Sequence, residues 1–322
     1  MKKRILIVED EVIIARDIQS KLRELGYDTL PIVSSGEEAI EKAGELKPDL
    51  ILMDIVLNGE IDGIEAAGRI GRFFNIPVVY LTAYADDKTL ERAKVTDPFG
   101  YMMKPFGEKE LHSTVEMAIY KHRSTEKLLD SMEGTIDALA TALEMRDPYT
   151  AGHQRRVGEL AEAIGRELNR SGDEIRGIHL AALIHDIGKI YVPSEILSKP
   201  IELTNNEFNI IKTHPRIGYD ILGKIEFPWP IAEMVYQHHE RLDGSGYPRG
   251  LEGDEIIVQA RILAVADVVE AMTSRRPYRQ ALGMETALKE IVAGRDTRYD
   301  PDVVDACVKL FREGGFVFSD TL

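Results

Sequence analysis

The sequence predicts a multidomain protein in which a doubly wound α/β domain with a five-stranded parallel sheet is followed by an all-α domain. Three observations carry this. Over roughly the first 120 residues, apolar β-branched runs alternate with helical patterns, as in consecutive βα units. Beyond residue 134 strand signals nearly vanish and helical periods dominate. The 322 residues, 44% apolar and 30% charged, are enough for two ordinary domains.

RILIVED, TLPIVSS, DLILMD, IPVVYLT and GYMMKP read as the strands. VIIARDIQSKLREL, GEEAIEKAGEL, IDGIEAAGRIGRFF, DDKTLERAKV and a segment from Glu108 read as the helices. In a doubly wound sheet the carboxyl ends of the strands form the ligand crevice, and the polar residues fall there. Glu9 and Asp10 close the first strand, Asp54 the third, Thr82 the fourth, and Lys104 with Pro105 the fifth. Three converging carboxylates repel one another unless a hard cation such as Mg²⁺ sits among them. A lysine and a hydroxyl nearby suit a phosphoryl group carried by one carboxylate. Each acid alone could simply cap a helix; together, in this order, they are specific.

Residues 1–121 closely resemble a response-regulator receiver domain. The resemblance implies that Asp54 is the phosphoacceptor, modified by a sensor histidine kinase. It implies that Glu9, Asp10 and Asp54 hold Mg²⁺ with the Val56 carbonyl, and that Thr82 and Lys104 sense the phosphoryl group. Tyr101, three residues before the lysine, matches the family's switch aromatic, and Glu9 stands where many members have aspartate.

Leu111, Val115, Ala118, His122, Thr125, Leu129, Met132, Ile136, Leu139 and Leu143 follow spacings of four and three, a heptad seam. The expectation is a coiled-coil-like connecting helix over 122–134 that joins two protomers of a homodimer. The alternative is an amphipathic helix packed on its own domains. His112 and His122 read as ordinary surface or seam residues.

The second domain, 135–322, holds six of the eight histidines. Its helical segments are IDALATALEM, RRVGELAEAIGREL, DEIRGIHLAALI, NNEFNIIKT, RIGYDILG, PIAEMVYQHHE, IIVQARILAVADVVEAM, METALKEIV and PDVVDACVKLF. His153, His185, His214, His238 and His239 stand beside motif-like punctuation, whereas His179 reads as a helix residue. Asp186 in LIHDIGK and Asp267 in ILAVADVVEAM are acids in apolar surroundings, which costs several kcal/mol unless they pair or coordinate a cation. Five imidazoles and two carboxylates without thiolate suit Mn, Fe, Ni, Co or Zn. Seven ligands exceed the needs of one ion with an open position, so two ions fit better, with one carboxylate bridging. Two ions about 3.5 to 4 Å apart are a recurrent device for phosphoester hydrolysis.

The series of HDIGK, THPRIGYDIL, HHERLDGSGYPRGL and ADVVEAMTSRRPYR resembles the HD-GYP family of metal-dependent phosphohydrolases. The resemblance implies hydrolysis of cyclic di-GMP to linear pGpG or onward to GMP. It places His153, His185, Asp186 and Asp267 on one ion, and lets Asp186 bridge to a second ion held by His214, His238 and His239. It puts Lys189 against the scissile phosphate or the attacking oxygen, and Arg276 and Arg279 on phosphates. Asp243, Gly244, Gly246, Tyr247 and Pro248 form the signature loop, where Tyr247 meets a guanine or a partner, a diguanylate cyclase among the candidates. Members with a third metal carry glutamate four residues before the first histidine; here that position is Tyr149, so two ions are expected. Hydrolysis of another cyclic or polyphosphorylated nucleotide, or a non-catalytic cyclic di-GMP adaptor, are the competing readings.

A net charge of −15 argues against a nucleic-acid or anionic-membrane binder. MKKRILIVED lacks the apolar run of a signal peptide, and no stretch approaches a membrane span, so a cytoplasmic location is expected. Cys307, the single cysteine, lies in an apolar helical pattern and reads as a core residue.

Overall fold

In the first part of the chain, β1 (Arg4–Val8), β2 (Asp28–Thr29), β3 (Leu50–Asp54), β4 (Val78–Thr82) and β5 (Gly100–Met103) pair in parallel in the order β2-β1-β3-β4-β5. The computed structural model describes residues 2–83, 87–94, 96, 98–146, 152–274 and 281–319. The helices of this part are α1 (Val12–Glu24), α2 (Gly36–Leu46), α3 (Gly63–Phe74), α4 (Asp87–Lys94) and α5 (Glu108–Arg146). Strand side chains alternate between two cores. Leu6, Val8, Ile51, Met53 and Tyr80 meet Ala39, Ala43, Ala67 and Ile70 of α2 and α3; Ile5, Ile7, Leu52 and Leu81 meet Ile18, Leu22, Leu111 and Val115 of α1 and α5. Burial on both faces is why these strands read as continuous apolar runs.

The second strand is shorter than TLPIVSS predicts. Ladder bonds run from Leu30 N to Ile5 O and from Val33 N to Ile7 O, both 3.0 Å, but Pro31 between them has no N–H to give. Because β1 lies between β2 and β3, the winding reverses there, and a crevice opens at their carboxyl ends. Asp62 caps α3 through the Glu65 N–H at 2.9 Å. A Cβ on Gly63 would stand 1.8 Å from the Asp54 carbonyl oxygen, so only glycine lets α3 start against the end of β3.

The chain forms two units, Met1–Asp130 and Ser131–Leu322, and α5 contributes to both. Leu111, Val115, Ala118 and Ile119 are buried in the first unit, and Ile136, Ala140 and Leu143 are buried in the second. Between them, residues 122–134 include no fully buried side chain, and Leu128 is exposed. Arg146 donates to the carbonyls of Ile190 and Val192, and Asp137 pairs with Arg155, which ties the end of α5 into the second unit.

That unit contains α6 (His153–Glu167), α7 (Gly172–Ile184), α8 (Ser194–Leu197), α9 (Asn205–Ile211), α10 (His214–Leu222), α11 (Ile231–Gln237), α12 (Val258–Thr273), α13 (Met284–Ala293) and α14 (Pro301–Arg312). α6 packs on α7 and α12, and α10 packs on α11 and on a 3₁₀ turn at Ile187–Tyr191. α12 is apolar on nearly all sides and buried accordingly, with Ile262 to Asp267, Val269 and Glu270 all inside. The helix predicted for PIAEMVYQHHE ends sooner. α11 stops at Gln237, whose carbonyl takes the Glu240 N–H at 2.9 Å, so both histidines of the pair lie beyond its last turn. Cys307 is fully buried in α14, and burial pushes its thiol up to about 12. Among the described residues no helix is long and apolar enough to cross a membrane.

Candidate metal centre and phosphoacceptor site

At the crevice of the first unit, Glu9 and Asp54 are buried beside the half-buried Asp10, with ligand oxygens of the three within 4.8 Å of one another. Lys104 Nζ, delivered by the end of β5, donates to Glu9 Oε2 and Asp54 Oδ2, each at 2.5 Å. The second Asp54 oxygen accepts the Val56 N–H at 3.1 Å, while the Val56 side chain is exposed. Burial, reinforced by Asp54 and opposed by Lys104, pushes the Glu9 carboxyl up to about 7. One ammonium does not offset three carboxylates, so the donor set, hard oxygens crowded together, fits a divalent cation. Thr82 is buried at the end of β4, and the half-buried Tyr101 ring lies 5.7 Å from that of Tyr80. Asn58, which the sequence reading passed over, donates to Asp10 at 2.6 Å.

In the second unit all seven predicted ligands converge, six of them at the ends of helices or turns. His153 opens α6, His185 and Asp186 join α7 to the 3₁₀ turn, His214 opens α10, His238 and His239 follow α11, and Asp267 projects from mid-α12. His153, His185 and Asp267 form one cluster of ligand atoms within 4.8 Å, and His214, His238 and His239 form another. Asp186 addresses both sides. Its Oδ1 is 3.3 Å from His214 Nε2, and its Oδ2 is 3.6 Å from His185 Nε2 and 2.6 Å from Lys189 Nζ.

Three of the imidazoles are fixed in orientation through Nδ1. Nδ1 of His185, His214 and His238 donates to the carbonyls of Ala182, Ile211 and Val235 at 2.7 to 2.8 Å, which leaves Nε2 a free lone pair. Burial pushes His214 down to about 4 and holds His238 and His239 well below the usual imidazole range, so all three are neutral near pH 7. For Asp186, burial opposes ionisation, but Lys189, His185 and His214 together hold it well below the carboxylate range. His153 and His185 do the same for Asp267 against its burial. The neutral nitrogens of His214, His238 and His239 beside two ionised carboxylates match divalent transition metals.

Close packing fixes the motif glycines. A Cβ on Gly188 would lie 1.9 Å from the His214 carbonyl oxygen, and one on Gly246 would lie 2.4 Å from the Glu240 Cα and the Arg241 nitrogen. The loop after the histidine pair folds back so that the Tyr247 N–H bonds the His239 carbonyl at 3.2 Å, and its ring lies 4.7 Å from the His239 ring. Lys212 Nζ lies 5.3 Å from the same tyrosine ring. His179 sits apart from the ligands, 2.7 Å from Glu162. Arg276, Arg279 and Tyr149 lie outside the described residues.

A response regulator receiver domain matches residues 5–116, and an HD domain matches residues 137–303. The cyclic di-GMP phosphodiesterase response regulator RpfG of Xanthomonas campestris pv. campestris is 34% identical over 95% of this chain and 87% of its own length. A cyclic di-GMP phosphodiesterase of Thermotoga maritima is 35% identical over 96% of this chain and 90% of its own. The chain belongs to the response regulators with an HD phosphodiesterase domain. A third relative, the 3'3'-cGAMP-specific phosphodiesterase 3 of Vibrio cholerae, is 38% identical over 55% of this chain and 39% of its own length.

For an HD phosphodiesterase response regulator, divalent metal use and a phosphodonor for the receiver follow from family. Two acids of this member escaped the sequence reading. Glu270, fully buried in α12, accepts from His153 Nδ1 and from Arg156 at 2.7 Å. Glu240, also buried, accepts the N–H groups of Arg249 and Leu251 at 2.7 and 3.0 Å and so pins the glycine-rich loop. The signal for Glu270 was present in the sequence. A helix apolar on all its faces leaves no exposed side for an acid, so the glutamate three residues after Asp267 had to be buried.

Proposed function

We propose that this protein hydrolyses cyclic di-GMP at a two-metal centre in its second unit, under control of phosphorylation at Asp54. The observation that carries the reading is the split of Asp186, one oxygen toward His214 and the other toward His185, between two triads of histidine and aspartate side chains. His153, His185 and Asp267 would hold one ion and His214, His238 and His239 the other, with Asp186 the ligand that would be shared between them. When bound, the ions supply the nucleophile and neutralise charge developing on the phosphate. Lys189, 2.6 Å from Asp186, places an ammonium where the attacked phosphate arrives. Gly246 keeps the loop low, and Tyr247 offers a ring beside His239 to a guanine base. Arg276 and Arg279 clamp phosphates through their planar guanidinium groups.

In the receiver, Glu9, Asp10, Asp54 and the Val56 carbonyl hold Mg²⁺ for phosphorylation by a sensor histidine kinase, and Thr82, Tyr101 and Lys104 respond. The exposed stretch of α5 carries the change to the second unit in a homodimer, and the Tyr247 loop is the surface for a cyclase partner. The first product is linear pGpG, with GMP following where the pocket takes pGpG again.

The test is chromatography of products after anaerobic incubation with Fe(II) or Mn(II), with cyclic di-GMP and 3'3'-cGAMP in parallel. Preferential loss of cyclic di-GMP to pGpG is expected. Preference for 3'3'-cGAMP would favour the second reading, which the similarity to the Vibrio enzyme motivates. Metal analysis should return two ions per chain in the second unit, and three would overturn the ligand set.

A further inference from the structure

We propose that Glu270 is a positioning residue that orients the imidazole of His153. The proposal rests on the two-metal reading above. Glu270 follows Asp267 by one turn of α12, and its side chain is completely buried. A lone buried carboxylate costs several kcal/mol, so its partners must be placed to compensate it. Three are. One oxygen meets His153 Nδ1; the other takes Arg156 Nε at 2.7 Å and the Ser274 hydroxyl at 2.6 Å.

The imidazole of His153 is thereby gripped from both sides by one helix. Asp267 Oδ1 lies 3.3 Å from its Nε2, and Glu270 holds its Nδ1. His185, His214 and His238 get the same orientation from backbone carbonyls, whereas His153 gets it from a carboxylate. A carboxylate acceptor makes the ring both fixed and more basic, the combination that strengthens a metal–imidazole bond. Arg156 neutralises the charge, so the device adds no net anion beside the ligands.

The experiment uses the full chain with Glu270→Gln and Glu270→Asp. Circular dichroism establishes folding, and Mn(II) titration against a chelator gives ion number and affinity. Turnover of bis(4-nitrophenyl) phosphate gives KM and kcat for any phosphodiesterase, whatever nucleotide it prefers, so failure of the substrate reading leaves this test intact. Glu270→Gln should weaken one of the two ions by about 10- to 100-fold and spare the other. Glu270→Asp, which keeps the charge but withdraws it by one methylene, should show the same one-ion loss at smaller size and serves if the glutamine variant does not fold. Wild-type affinity for both ions in the Glu270 variants would overturn the orienting role.

Discussion

Asp186 faces both histidine clusters with its two oxygens and also accepts from Lys189. Asp186→Ala should abolish turnover, by on the order of 100-fold or more, and lower occupancy of both ions together. Near-normal turnover with two ions bound would refute the bridge. The histidines make a second prediction, in metal-free protein. Burial holds His214 at about 4 against an ordinary value near 6.5, with His238 and His239 also depressed, so the unfolded chain binds more protons than the fold across that window. Stability is therefore present above pH 6.5 and is lost as pH falls toward 4, by about 3 kcal/mol for His214 alone. Urea unfolding at pH 7, 6 and 5 should show the midpoint dropping at each step; a flat profile would mean that the imidazoles are solvated. These predicted ligands were legible because histidine and aspartate are rare in apolar helices. Glu240 was not, because an acid after HH reads as a solvated residue until the loop is seen folding back onto its carboxylate.

At the scale of elements, periodicity located strands and helices well and their ends poorly. The apolar runs that mark β1, β3 and β4 are dictated by burial on both faces, which sequence expresses directly. The short β2 and the early end of α11 depend on single hydrogen bonds, around Pro31 and at Gln237, which periodicity does not encode. The loop after α11 is likewise a matter of contact. A methyl group on Gly246 would collide with the backbone of Glu240 and Arg241, so Gly246→Ala must displace Tyr247 from His239. The expected result is turnover reduced more than 10-fold with a melting temperature within a few degrees of wild type, since the loop is largely exposed and little core is disturbed. A large drop in melting temperature would show that the loop is part of the core instead.

At the scale of the whole molecule, the two sites are separate chemistries on one chain, and α5 is the continuous helix that contributes to both units. The heptad reading anticipated a seam along the entire helix, yet its two ends are buried in the units they belong to, and only the middle is left for coupling or pairing. That division of labour sets the last prediction. Asp54→Ala removes the carboxylate that Lys104 and the Val56 N–H engage but leaves every residue of the second unit in place. Basal hydrolysis should therefore persist within about 2-fold, while the change in rate produced by acetyl phosphate and Mg²⁺ disappears. Inserting Gly-Gly-Ser after Lys127, in the stretch that buries nothing fully, should give the same phenotype by a different route, since glycine interrupts the helix without touching either site. If the insertion variant still responds to acetyl phosphate, the signal does not travel along α5. If Asp54→Ala loses basal activity as well, the first unit supports the second structurally rather than by phosphorylation.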